Sequence, residues 1–220
     1  MDPHRKFWNE QHKKLKVALE RGQNRKIGID LFLAQHAMVH SALMSKSKLH
    51  SFEDEVLYGL SEEAIRRICG NHSIAWVIWH LARIEDVTMN LLLGDGRQVL
   101  TSEDHDIGIK TIHTGNGMSR KEIGMFSSRI DIEALKKYRM AVGRATRKTV
   151  NKLHVEEFNR KIDPPRLQRI WDQGAMLPNA RGIVEYWAGR TAAGLLLMPP
   201  TRHAFLHLNE TRRLRALVEK

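Results

Sequence analysis

At 220 residues, with 42% hydrophobic content and a single cysteine, the chain is long enough to bury one sizeable core, and collagen-like, disordered and disulfide-framework classes are excluded. The 36 Lys and Arg against 25 Asp and Glu give a net charge of +11, a field that attracts nucleic acid, acidic metabolites or anionic lipid. The basic residues are spread among apolar ones at helical spacing, which fits solvated helix faces, and no helix-turn-helix, zinc-finger or RNA-recognition signature accompanies them.

One domain over 1–220 is the expectation. The lone Cys69 points to a reducing, cytoplasmic compartment. The opening "MDPHRKFWNEQHKKLK" has no apolar leader, and no window approaches the roughly 18 apolar residues that span a bilayer, so no membrane role is expected.

In chain order the pattern is helical almost throughout. Residues 5–20 read as a short amphipathic helix within a peripheral segment 1–25. A longer helix over 27–49 carries Ile27, Leu31, Ala34, Met38, Ser41 and Ala42 near one face. Ser61 is an N-cap, with Glu62 and Glu63 in the first turn, for a helix that runs to Leu93, either continuous or bent near Gly70, where Asn71 and His72 are placed to cap a bend. Residues 94–130 are the least regular part, with a loop at "HTGNG" and a capping box from Ser119 to Glu122. A third long helix spans 131–153. The prolines of "HVEEFNRKIDPP" close a connection before helical pieces at 166–176 and 180–197, and "MPP" at 198–200 ends the last of these ahead of a final helix at 201–219. The expected fold is an all-α four-helix bundle with extra short helices and insertions at 94–130 and 154–197.

The histidines fall on particular faces. In "SIAWVIWHLARIED", His80 shares a stripe with Val77, Ile84, Val87 and Leu91 and so points inward. In "RHAFLHLNETRRLRALVEK", His203, His207, Glu210, Leu214 and Leu217 share another stripe. His203 and His207 are one turn apart, which brings two imidazoles side by side for a single cation. His36 and His40 in "LAQHAMVHSAL" repeat that spacing, so spacing alone does not select a pair. An inward pair late in the chain together with a lone inward histidine on another long helix is how bundles build metal sites from facing helices.

At these residues the chain resembles the DinB-like family, which includes YfiT-type metal-dependent proteins and low-molecular-weight-thiol S-transferases. The resemblance rests on "SIAWVIWHLARIEDVTMNLLL" followed downstream by "RHAFLHLNETRRLR", and it covers 27–49, 61–93, 131–153 and 201–219. It implies a DinB-like bundle, a metal site of His80, His203 and His207, and a homodimer. Three imidazole ligands leave an open position on zinc or nickel, where a thiol or water gains acidity. The activity implied is that of a metal-dependent enzyme, a thiol-dependent S-transferase or a related hydrolase or isomerase, acting on a small-molecule substrate. The alternative is a non-catalytic, stress-related bundle that binds metal or a polyanion.

Neighbouring residues have more ordinary roles open to them. Glu210 orients an imidazole, completes the metal shell, or pairs with a bundle arginine. Trp76 and Trp79 serve as core or pocket wall. Arg83 or Arg202, if facing the pocket, binds a carboxylate on substrate or thiol. His36 and His40 compete for ligand roles, and His40 in particular is placed to line the pocket.

Overall fold

The computed structural model describes residues 3–21, 24–46, 48, 50–100 and 107–219; residues 101–106 of the expected 94–130 insertion lie outside them. In chain order the helices are α1 (Pro3–Arg21), α2 (Arg25–Met38), α3 (Ala42–Ser45), α4 (Phe52–Leu57) and α5 (Glu62–Arg66). A two-residue antiparallel pair follows, β1 (Ile68–Cys69) with β2 (His72–Ser73). Then come α6 (Ile74–Glu85), extended by π-helical turns over Asp86–Leu93, α7 (Arg120–Arg129), α8 (Ile132–Lys152), α9 (Pro164–Asp172), α10 (Arg181–Ala188) and α11 (Ala192–Leu197). A second π-helical stretch, Met198–His203, feeds α12 (Ala204–Val218). The fold is all-α, and no helix among the described residues is long and apolar enough to cross a membrane.

Local chemistry explains most of the helix starts. Ser61 Oγ accepts from the Ala64 amide at 3.2 Å, and Asp131 accepts from the Ala134 amide at 2.8 Å. Ser119 and Glu122 form the full capping box at the head of α7. Each satisfies an amide that the first turn leaves without an intrahelical partner.

Several expected boundaries are corrected. The helix expected from Ser61 to Leu93 is two helices, because Gly70 takes φ +66° and turns the chain into the β1–β2 hairpin. The helix expected over 27–49 ends at Met38, and Ser41 caps a separate α3. Its buried face is also rotated from the expected one. Ile27 is 52% exposed, while Ile29, Phe32, Gln35 and His36 point inward. Two polar side chains sit on the inner face because partners await them there: Gln35 donates to the Trp8 carbonyl at 3.0 Å and meets His12 Nδ1 at 2.8 Å. The piece expected over 180–197 is broken between α10 and α11, and "MPP" does not end the run but widens it into the π turn that continues into α12. On α12 the buried line is Ala204, Leu208, Thr211, Leu214 and Val218; Leu217, expected inside, is exposed.

The bundle is assembled around α6. It packs on α8 and α12, while α2 lies on α8 and on the Met198–His203 turn. Every residue from Ile74 to Leu93 is buried, as an apolar-all-round helix requires. One apolar cluster gathers Trp79, Phe126, Tyr138 and Phe205 about the first half of α6; the other gathers Leu15, Phe32, Leu91 and Leu195 about the π turns. The segment expected to be peripheral at the N-terminus is well anchored: Trp8, Leu15 and Leu19 on α1 are fully buried against α2 and α11.

On α8, Gly143 lets the chain at His40 and Met44 pack close, for an added Cβ would lie 2.9 Å from the His40 ring and 3.0 Å from Met44. Gly143→Ala is therefore expected to destabilise the protein by about 1–3 kcal/mol, although alanine is the better helix former, because overpacking outweighs propensity at such a contact. Chemical denaturation of the two proteins gives the answer, and an unchanged or raised midpoint would contradict the packing argument.

Candidate metal centre

Two elements carry the histidines that meet inside the bundle. On α6 the Ser73 hydroxyl accepts from the Trp76 amide at 2.9 Å, which sets where the helix begins and so the direction of His80 two turns later. On the other side, Pro199 and Pro200 lack amide hydrogens and sit where a regular helix would need them. The chain widens there into π turns, with Thr201 Oγ1 donating to the Leu196 carbonyl at 3.0 Å. His203 closes this stretch and His207 stands one turn into α12. Such π turns recur at functional sites because they re-aim side chains within a continuous helix.

His80, His203 and His207 converge. One nitrogen from each lies within 4.8 Å of the others, and His80 Nε2 is 3.2 Å from His203 Nε2. Ring centroids are 4.9 Å apart for His80 and His207 and 4.5 Å for His203 and His207. Ligands about 2.1 Å from one tetrahedral cation stand roughly 3.4 Å apart, so small ring movements bring all three nitrogens onto one ion.

What lies behind the rings supports this use. His80 Nδ1 donates to the Thr114 carbonyl at 2.8 Å, and His207 Nδ1 to Glu210 at 2.7 Å. Both tautomers leave the Nε2 lone pair facing the cluster, the arrangement by which acceptors outside a metal shell orient its imidazoles. Glu210 reaches a further imidazole with its other oxygen, His72 Nδ1 at 2.6 Å. Trp76 is stacked between His72 and His80, with centroids at 3.9 Å and 4.8 Å. The side of the cluster formed by His72, His207 and Glu210 is about a quarter exposed, whereas His80 is 2% exposed.

Electrostatics leave His80 and His203 neutral. Burial, and then the neighbouring His207, lowers His80 to about 3. Burial, followed by His80 and His207, takes His203 well below the ordinary value. Burial pushes the Glu210 carboxyl up, but hydrogen bonds from His207 and His72 outweigh it and hold it below the usual range. Neutral imidazoles beside an ionised acceptor are the protonation states that a cation requires of its ligands.

A second group that can hold a divalent cation is His36, His40 and Glu85, and it is built the other way round. Both Nε2 atoms meet Glu85 oxygens at 2.8 Å, so the carboxylate stands in front of the rings, not behind them. Arg139 supplies the positive charge, 3.3 Å from Glu85 and 2.8 Å from Glu53. Burial, then Arg139, lowers His40 to about 3. Burial pushes Glu85 up, yet His40 and His36 hold it well below the usual carboxylate range. Here the Nε2 atoms and the carboxylate are already engaged with one another and with a guanidinium.

Other expected residues are sorted by the geometry. Trp79 is core, packed on Phe126 and Tyr138 with its indole donating to the His113 carbonyl at 3.1 Å. Arg83 does not face a pocket: at 1% exposure it is bound to Asp86 and Tyr138 at 2.9 Å and to the Ile112 carbonyl at 3.0 Å. Its charge is committed to the core. Glu210 pairs with His72 and His207, the orienting role among those open to it, and His40 lines no pocket at the first cluster but belongs to the second. Three contributors were missed. Glu85 had a signal, an acid inside an otherwise apolar run; His72 and Thr114 had none, since one is placed by a hairpin and the other acts through its backbone.

Long packed helices with a cluster of three converging imidazoles define an all-α helical bundle with a candidate divalent-cation centre. The chain belongs to the DinB superfamily, whose family model matches residues 54–189. That span includes His80 and Glu85 and ends ahead of His203 and His207. No curated protein matches the chain.

Two outcomes follow from these clusters. Glu85→Ala removes the shared partner of two buried imidazoles and one of the two carboxylates on Arg139, and is expected to cost about 3–5 kcal/mol, read from denaturant midpoints; a loss under about 1 kcal/mol would mean that the network is not holding the bundle. The second concerns acid. Unfolded imidazoles take up protons near 6.5, whereas folded His40 and His80 stay neutral until about pH 3. Each therefore contributes stability that is complete above about pH 6.5 and is lost as pH falls towards 3. In chelator, unfolding at pH 5 should be easier by about 2 kcal/mol per group than at pH 7.5 and should take up protons. Equal stability at both pH values would contradict burial of neutral imidazoles.

Proposed function

We propose that the protein is a metal-dependent enzyme in which His80, His203 and His207 hold one divalent cation, zinc or nickel, and that a low-molecular-weight thiol or a water is activated there against a small electrophilic substrate. The observation that carries this reading is the convergence of three imidazoles, two of which, His80 and His207, have their outer nitrogens held by Thr114 and Glu210. When bound, a cation with three nitrogen ligands supplies an open position and the charge that makes a thiol or water there more acidic.

The chain's own residues supply the rest. The Thr114 carbonyl and the Glu210 carboxylate lock two imidazoles into the tautomer that exposes Nε2 to the cluster. Trp76 covers one face of His80 and keeps that ring from turning. The half-buried rim of His72, His207 and Glu210 is the way in from solvent, opening on a groove of about 400 Å³ walled in part by His207 and Glu210. A single open side suits a site that admits one small reactant and limits water. Thiol transfer is the reaction class that the sequence resemblance implies, and superfamily membership supports the helical-bundle frame in which it would take place.

The test is thermal stability with and without Zn²⁺ at pH 7.5 and 5.5, for the native chain and His203→Ala. At a thousandfold excess over Kd the native protein should gain about 4 kcal/mol, a gain that shrinks at pH 5.5 as protons compete for the ligand nitrogens. His203→Ala should show no such gain. Glu210→Gln should retain binding but weaken it by about 10–100-fold. An equal response to Zn²⁺ in native and His203→Ala proteins at pH 7.5 would remove the assignment.

A further inference from the structure

The groove that reaches His207 and Glu210 does not stop there. Along α12 it adjoins a bay of about 140 Å³ between α1, α2 and α4, with which it shares Arg5, Phe205, Asn209 and Arg212 as wall and whose other walls include Trp8, Met38 and Phe52. Trp8 and Phe205 are stacked, with centroids 4.1 Å apart and planes within 8°. Phe52 lies tilted against Phe205 at 5.6 Å. A volume of this size matches one benzene-sized group, since an apolar cavity of about 150 Å³ holds benzene.

The rim is cationic, and its acids are already used. Glu55 is engaged by Arg212 at 3.1 Å and His50 at 2.7 Å, and Glu210 by His72 and His207. Arg5 and Arg213 also line the groove, and neither has a hydrogen bond or ion pair recorded among the described residues. The role expected of Arg83, which the core has consumed, falls to these two.

We propose that the groove binds a small organic anion with a benzene-sized apolar end, the ring seated against Trp8, Phe52 and Phe205 and the anionic group between Arg5 and Arg213, so that the ligand lies along α12 toward His207. This gives the substrate class of the site described above and rests on that reading only for its catalytic meaning; binding itself needs no metal. Charge complementarity selects the anion, and the small volume of the aromatic bay selects a compact ring over a long chain.

The experiment is calorimetric or NMR titration with 3-phenylpropanoate, and with the neutral 3-phenylpropanol, at constant ionic strength. Phenylpropanoate should saturate with a Kd of roughly millimolar order and bind more tightly than the alcohol. Arg5→Gln with Arg213→Gln, both at exposed positions, should weaken the acid severalfold and leave the alcohol unchanged. Met38→Trp, which fills the bay, should abolish both. His203→Ala should bind phenylpropanoate as the native chain does, so that loss of the metal reading and loss of this one are told apart. No saturable binding, or equal affinity for acid and alcohol in the native chain, overturns the proposal. So does unaltered binding in the doubly substituted chain, a result that does not depend on whether Met38→Trp folds.

Discussion

The burial of polar side chains on one helix constrains the rest of the molecule. From Ile74 to Leu93 no residue reaches solvent, yet His80, Arg83, Glu85 and Asp86 lie in that run. An unpaired buried charge costs far more than any single apolar contact returns, so each of these groups must be met by something from elsewhere in the chain. Thr114 meets His80, and Tyr138 with the Ile112 carbonyl meets Arg83. His36, His40 and Arg139 meet Glu85. Asp86 accepts from the Val99 and Leu100 amides at 2.8 and 3.1 Å. The loops and helices around α6 are placed largely by this need for partners.

The two histidine clusters show how the same residue types are put to different ends. Around Glu85 the negative charge faces the imidazoles directly, and Arg139 reaches across to Glu53 and to the Val39 carbonyl at 3.0 Å, tying α8 to the chain on either side of α3. The result is a closed ionic knot. At the other cluster the acceptors stand behind the His80 and His207 rings, and His80 Nε2 meets His203 Nε2 on the inward side. Mutual hydrogen bonding can satisfy at most part of that cluster, because neutral imidazole offers one donor and one acceptor. A cation satisfies all of it.

Much of the bundle was legible because periodicity and capping are local. Ser61, Ser119 with Glu122, and Asp131 each begin a helix for reasons that sit within four residues. The inward direction of His80 and of the late pair was legible for the same reason. The face of α2 was not, since its Gln35 and His36 look like surface residues until Trp8 and Glu85 are brought against them by the tertiary fold. The break at Gly70 depended on one positive φ, and the role of Thr114 on a carbonyl that every residue possesses. Partners distant in sequence, acting through backbone or through burial, leave no local pattern to read.

The proline pair couples the last helix to the histidine cluster. Two missing amides would normally end a helix, and here they widen it, so that α11 and α12 run on through Met198–His203 with a change of phase. Before the change the chain buries Ala192, Leu195 and Leu196 toward α1 and the π turns of the α6 run; after it, Ala204 and Leu208 bury toward α6 itself. His203 belongs to the widened turn and His207 to the regular helix, so the spacing that looks like an ordinary pair one turn apart straddles the junction. A regular helix through this region would present one continuous stripe and could not both pack α11 as it does and aim the two imidazoles at His80. The local irregularity thus sets the register between the last helix and the central one, on which the geometry of the histidine cluster depends.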